Sequence, residues 1–215
     1  MATAGVRRAQ REETAAALKR AAVRVFDRVG YLNAKITDIT AEAGRAAGSF
    51  YSHFPNKEAL LEALLADVLA SSDELAVDPA HSGDFTDRDA VRHHVAGYWA
   101  YFRRNRAVMV ALQQAATVDE RFSRRMSDML EPDLHHLAEH LQQARAGGAV
   151  LPGDPLVVTT AMTALMSGFA HFWLVQGWAG HEIDDDEAVD TLTSFIYSGI
   201  GGTPTPPPQR PRRTT

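Results

Sequence analysis

The chain contains no cysteine, which removes disulfide frameworks, thiolate metal sites and cysteine nucleophiles. No run of it alternates polar and apolar residues with the period of a strand, so sheet architectures find no support. The N-terminal run MATAGVRRAQREE is charged where a secretory leader would be apolar, and the expectation is a cytoplasmic protein. Formal charge is also missing from 156–179, a stretch long enough to cross a bilayer. Thr159, Thr160, Thr163, Ser167, His171 and Gln176 interrupt that stretch. It therefore reads as a helix buried on several sides of a soluble protein, with no membrane partner.

What remains is enough for ordinary cores: 215 residues, 45% hydrophobic and 23% charged. The net charge of -5 conceals an asymmetry. Residues 1–57 hold ten Lys/Arg against five Asp/Glu, whereas 58–215 hold twelve against twenty-two. A polyanion, if one is bound, meets the first quarter of the chain.

Within that quarter, 7–29 carries Ala15, Leu18, Ala22, Val25, Phe26 and Val29 at spacings of three and four, with Gly30 behind them as a stop. This predicts an amphipathic helix. Thr37 stands where an N-cap belongs, and Asp38 in the first turn suits the positive end of a helix dipole. Ile39 and Ala43 bury one face before Gly44 ends this second helix, and a third short helix follows over about 46–54. Two short helices joined by a tight glycine turn form a helix-turn-helix, whose second helix can enter a DNA major groove. Pro55 disfavours helical geometry in Phe54 and suits the first turn of a new helix, capped by Asn56 with Lys57 beside it. That helix, 58–75, shows Leu60, Leu61, Leu64, Leu65, Val68 and Leu69 on one broad face.

Thr37-Asp38-Ile39 through Ala43-Gly44, followed by Gly48-Ser49-Phe50-Tyr51-Ser52-His53-Phe54-Pro55-Asn56-Lys57-Glu58-Ala59-Leu60, resembles the signature of the TetR family of bacterial transcriptional regulators. Beyond that first quarter the resemblance is one of length and all-helical layout. It implies a homodimer whose N-terminal domains bind a palindromic operator in double-stranded DNA. The C-terminal domains of such a dimer pair with each other and hold a small-molecule effector. Position by position, it implies phosphate contacts from Thr37, Tyr51, His53 and Lys57, and an approach to base edges at Gly48 and Ser49. Phe50 is implied either to pack or to touch a thymine methyl, and Tyr51 and His53 have packing against the bundle as their alternative.

The chain departs from the family pattern at Arg45-Ala46-Ala47, where a capping serine and a polar residue are usual. Losing the capping hydroxyl costs on the order of 1 kcal/mol. Arg45 suits a guanine or a phosphate, or faces solvent, and readout leans on Arg45, Ser49 and DNA shape. Lys35 is a further phosphate candidate. The N-terminal arm, with Arg7, Arg8 and Arg11, either adds phosphate or minor-groove contacts or is merely solvated.

After a polar break with Pro79 and Gly83, helical patterns resume over 88–104, 106–117, 120–146, 155–178 and 186–200, with Pro132 expected to kink or split the third. The fold class is therefore all-α with about nine helices. Residues 1–57 form a helix-turn-helix domain, 58–202 a helical ligand-binding and dimerisation domain, and 203–215 a disordered Pro/Arg-rich tail. Trp99, Phe102, Met109, Met126, Met162, Met166, Phe169 and Trp173, with Gln113 and His171 as polar members, are the candidate pocket for a hydrophobic or aromatic effector. Leu165, Phe169, Phe172, Leu192, Phe195 and Ile196 are the candidate dimer face.

One motif supports a different class. His136-x-x-Glu139-His140 matches an inverted zinc-peptidase pattern, and His135, His136 and His140 are the ligands of an alternative metal-sensing regulator. Chance and a surface helix account for it more simply, so no enzyme, metal or cofactor is expected. The mechanism expected is DNA binding controlled by an effector, with 58–75 as the lever between the domains.

Overall fold

The structure, a computed structural model, describes residues 2–76, 82–178 and 180–201. The expected tail at 203–215 and Pro79 of the polar break lie outside the described residues. Nine α-helices and one π-helical turn account for the regular structure of the described part, and the all-α expectation holds.

Helix α1 (Ala2–Asn33) buries Leu18, Ala21, Ala22, Val25 and Phe26, one stripe at helical spacing. At Gly30 the backbone leaves helical geometry (φ 75°, ψ 160°), where the stop was expected, and one further turn carries the chain to Asn33. Helix α2 (Ile36–Glu42) starts earlier than expected. Lys35 occupies the N-cap position and its backbone N–H donates to the Asp38 carboxylate at 3.2 Å, so Thr37 lies inside the first turn and does not cap. The Asp38 carboxylate, by taking the Lys35 N–H from the third helical position, favours that start over a cap at Thr37.

Helix α3 (Ala47–Tyr51) is shorter than the expected 46–54. His53 and Phe54 N–H groups both fold back onto the Phe50 carbonyl at 2.9 Å, closing the helix as a turn. Pro55 then stands just outside α4 (Lys57–Ala76) instead of in its first turn, while the Asn56 side chain accepts from Ala59 N–H at 2.7 Å as an N-cap should.

Helices α5 (Arg88–Arg104), α6 (Arg106–Val118) and α7 (Glu120–Ala146) follow. Pro132 does not split the third of these: α7 runs through it unbroken. Asp154 caps α8 (Pro155–His171), with Pro155 at its first position. Its end widens into a π-helical turn, Phe172–Gln176, closed by Gly177 N–H on the Phe172 carbonyl at 3.1 Å. Helix α9 (Asp185–Gly201) completes the fold.

Two hydrophobic cores result. The first joins α1–α4 to Val108, Ala111, Leu112 and Ala115 of α6 and Phe122 of α7. The second gathers Val91, Val95, Trp99 and Phe102 of α5, Leu141 and Ala144 of α7, Val158, Met162 and Met166 of α8, and Leu192 and Ile196 of α9. Met109 packs against both. Helix α8 buries a single stripe, Val158, Thr159, Met162, Met166 and Ala170. Among the described residues, Pro155–Gln176 is long and apolar enough to cross a membrane, but only 28% of its apolar window is buried. The expectation of burial on several sides is therefore corrected to burial on one.

Candidate nucleic-acid interface

The α2–turn–α3 unit is held from below. Ile39 and Phe50 are fully buried, and Phe50 meets Phe54 at 5.8 Å between ring centroids. Gly44, at φ +63°, turns the chain after α2, with its own N–H on the Ala41 carbonyl and Arg45 N–H on the Thr40 carbonyl. Anchored in this way, α3 turns Ala47, Gly48, Tyr51 and Ser52 outward, with Arg45 and Ala46 exposed ahead of them. The stretch 43–57 contains no carboxylate. The exposed face is thus small, polar or cationic, which lets a polyanion approach closely.

The expected contact residues divide into those at this surface and those drawn inward. Lys35 and Thr37 are exposed at the start of α2, Arg45 and Gly48 are exposed, and Ser49 is half-buried. A Cβ on Gly48 would meet nothing within 4 Å, so its space is left open on the outer side. Tyr51 is 61% exposed, its ring edge resting on Phe50 at 5.6 Å. Phe50 is different: it is wholly inside the core and has no surface for a thymine methyl, so it packs.

His53 is half-buried beside Phe54, and burial, with the Arg11 charge as a second cause, holds its pKa below the usual imidazole value. Arg11 donates to the Ser52 carbonyl at 3.3 Å, tying α1 to the end of α3. The sequence gives no local sign of this tie, because its partners stand 41 residues apart. The arm itself is helical from Ala2, not extended, and Arg8 pairs with Glu12 at 2.8 Å.

Lys57 turns toward the protein. Its ammonium donates to the carbonyls of Tyr31 (2.7 Å) and Ala34 (3.0 Å) and lies 4.1 Å from the Tyr31 ring centre. Burial lowers its pKa, against the opposing charge of Glu58. Tyr31 in turn donates its hydroxyl to Glu58 at 2.9 Å, and burial followed by that bond holds the phenol above its usual range.

In the second core, Trp99, Phe102, Met162 and Met166 are buried together, with the Phe169 ring tilted between those of Trp99 (5.9 Å) and Trp173 (6.2 Å). Met126 does not join them, since it packs against the first core. Gln113 is half-buried, and the adjacent Gln114 is the residue that reaches a distant partner. His171 Nδ1 is buried with no hydrogen-bond partner among the described residues. Tyr98, absent from the sequence-based set, has its pKa raised by burial and bonds Ser167. An open cleft of about 450 Å³ lies between α5 and α9. Its charges are largely internally paired: Arg92 with Asp186 and Asp190, and Arg103 with Asp185.

Of the candidate dimer residues, Leu165, Phe172 and Phe195 are exposed and Phe169 is half-buried. Leu192 and Ile196 are interior to the subunit, because α9 turns them onto α5 and the second core. The two histidines of the motif stay together, ring centres 4.9 Å apart, but differ in burial. His136 is exposed near Glu139, whereas His140 is buried against Phe85 and His94. Among the described residues no three His, Asp or Glu side chains are grouped to hold a metal ion, so the metal-sensing and zinc-hydrolase alternatives have no ligand set there.

Residues 18–64 match the profile of bacterial regulatory proteins of the tetR family. No curated protein matches the chain. Among solved structures, a protein described as a TetR-family transcriptional regulator from Rhodococcus sp. is 23% identical, with a TM-score of 0.73 over 87% of this chain and 99% of that one. The fatty acid degradation regulator FadR from Bacillus halodurans is 17% identical, with a TM-score of 0.72 over 87% and 96%. AibR, in complex with isovaleryl coenzyme A and operator DNA, is 18% identical, with a TM-score of 0.68 over 86% and 98%.

Proposed function

We propose that this chain, whose residues 18–64 match the tetR-family profile, is a ligand-responsive, sequence-specific DNA-binding transcriptional regulator, acting in the cytoplasm as a homodimer. The observation that carries the reading is the outer face of α3 and its preceding turn, small, polar or cationic, free of carboxylates and seated on buried Ile39 and Phe50. Lys35, Thr37, Tyr51 and His53 position it on phosphates, while Gly48, Ser49 and Arg45 meet base edges. Lys57 acts from behind, fixing the carbonyls of Tyr31 and Ala34 just ahead of α2.

The exposed Leu165, Phe172 and Phe195 pair α8 and α9 with those of a second subunit into a four-helix bundle. A two-fold dimer reads a palindrome whose half-sites lie about 34 Å apart. The effector is a small hydrophobic or aromatic molecule admitted to the second core, where Trp99, Phe169, Trp173 and Met162 supply apolar surface and His171 a free polar atom. The fatty-acid and acyl-coenzyme A associations of FadR and AibR support an apolar effector. An effector that binds best when the half-site spacing is wrong weakens operator affinity by the factor by which DNA weakens its own, and the family resemblance favours repression over activation.

The test is selection of sites from random-sequence duplexes, with the double variant Thr37→Ala, Tyr51→Ala as control. An enriched palindrome lost in the variant is expected. No enrichment at low salt, where phosphate contacts are strongest, would remove the DNA-binding reading.

A further inference from the structure

We propose that the cleft between α5 and α9 is a binding site for a small organic carboxylate with an apolar body, and that the side chain of Asp185 occupies its anion seat until such a ligand displaces it. The site goes beyond the effector of the second core, since it opens to solvent between two helices.

The seat is made by α5. Trp99 is only 2% exposed, and a buried indole N–H has to find an acceptor. It donates to Asp185 Oδ1 at 2.8 Å, and Arg103, one turn further along α5, donates to Oδ2 of the same carboxylate. Two donors on two oxygens, reached across 86 and 82 residues of chain, are the means by which a carboxylate is recognised.

Asp185 is not needed there to build its own helix. Asp184 caps α9, accepting from Asp186 N–H at 3.0 Å and from Glu187 N–H at 3.3 Å. The Asp185 side chain is 52% exposed and that of Arg103 58%, so water and salt compete readily for their ion pair. Rotation of the short Asp185 side chain into solvent vacates the seat and leaves the helix start capped.

The rest of the cleft suits the rest of such a ligand. Ala96 and Ala100 of α5 leave room that longer side chains would fill, and Val189 of α9 adds apolar wall, within a volume of about 450 Å³. Arg104 also lines the cleft, exposed and in no ion pair among the described residues. Arg92 differs from it, because Asp186 and Asp190 both engage that guanidinium. With Asp185 committed to Arg103, the uncompensated charge lining the cleft among the described residues is therefore positive. A bound carboxylate meets Arg103 and Arg104 together, where Asp185 pairs with Arg103 alone. That second cation is what lets a free ligand compete with a tethered one.

The chain has three tryptophans, so the indole N–H region of its NMR spectrum holds three signals, and Trp99→Phe identifies the one that reports on the seat. Benzoate is the probe, with benzamide as its uncharged counterpart and sodium chloride at equal ionic strength as the control. Benzoate is expected to move the Trp99 signal along a saturating curve, while benzamide and chloride leave it in place. Asp185→Ala removes a tethered competitor whose effective concentration is in the millimolar range, and is expected to lower the half-saturating benzoate concentration by about tenfold or more. Adding Arg104→Ala to that variant raises it again by about tenfold.

If Asp185 is only a pin between α5 and α9, Asp185→Ala lowers the unfolding midpoint and its Trp99 signal ignores benzoate. That result, at benzoate up to about 50 mM, would overturn the proposal, as would benzamide moving the signal as far as benzoate does. Should Asp185→Ala not fold, Asp185→Asn, which keeps the side chain's shape and gives up its charge, is read by the same two outcomes. Because no DNA enters this measurement, its failure leaves the regulator reading standing, and absence of an enriched operator site leaves the cleft standing.

Discussion

Lys57 directs two of its three N–H donors to carbonyls of Tyr31 and Ala34 and its charge to the Tyr31 ring. Lys57→Met strands both carbonyls in a half-buried site and is expected to lower folding stability by about 2 kcal/mol, read as a lower urea midpoint at unchanged slope. The sequence places this lysine in a phosphate-binding motif, but its partners stand 26 and 23 residues away, beyond the reach of any local pattern. His53 tells the reverse story: its position in the motif is legible, and its protonation depends on Arg11 and on burial, which only the fold supplies. Its proton should leave below the ordinary imidazole midpoint of about 6.5. Since the unfolded chain then holds the proton more tightly, His53 contributes stability above that pH, and loses it as pH falls from about 6.5 toward the lower folded value. An NMR titration should show Arg11→Ala moving the His53 midpoint up, though not to the free value, because burial is the larger cause.

At the scale of the element, α3 begins at Ala46 in extended geometry (φ −68°, ψ 146°) with no side-chain cap. Ala46→Ser should supply one for the α3 N–H groups, adding about 1 kcal/mol and raising the thermal midpoint. No change would mean that the turn holds the serine hydroxyl away from them. The helix-turn-helix was readable because Gly44, Gly30 and the spacing of Ile39 and Phe50 are local signals. Thr37 misled because the Asp38 carboxylate reaches back to Lys35 N–H and the helix starts two residues earlier. In α8 the apolar composition was readable but its sidedness was not, since Val157 and Leu165 face outward while Met162 and Met166 face in. A stripe cannot be assigned a partner when both faces are greasy.

For the whole molecule, the two cores meet at Met109 of α6. Periodicity predicted nine helices but not that Met109 would face both cores, because that follows from how α1, α5 and α6 stack. The same stacking leaves Phe195 69% exposed on α9. Phe195→Arg should convert a dimer to monomers by analytical ultracentrifugation while leaving helical content intact. An unaltered dimer would place the interface elsewhere.

That exposed ring bears on the life of a newly made subunit. A newly made chain presents Phe195, Leu165 and Phe172 to every other apolar surface it meets, and in the proposed dimer a second copy covers them. Subunits translated from the same message meet sooner than strangers do. If the proposed dimer forms, its assembly depends on the concentration of newly made chains as much as on affinity.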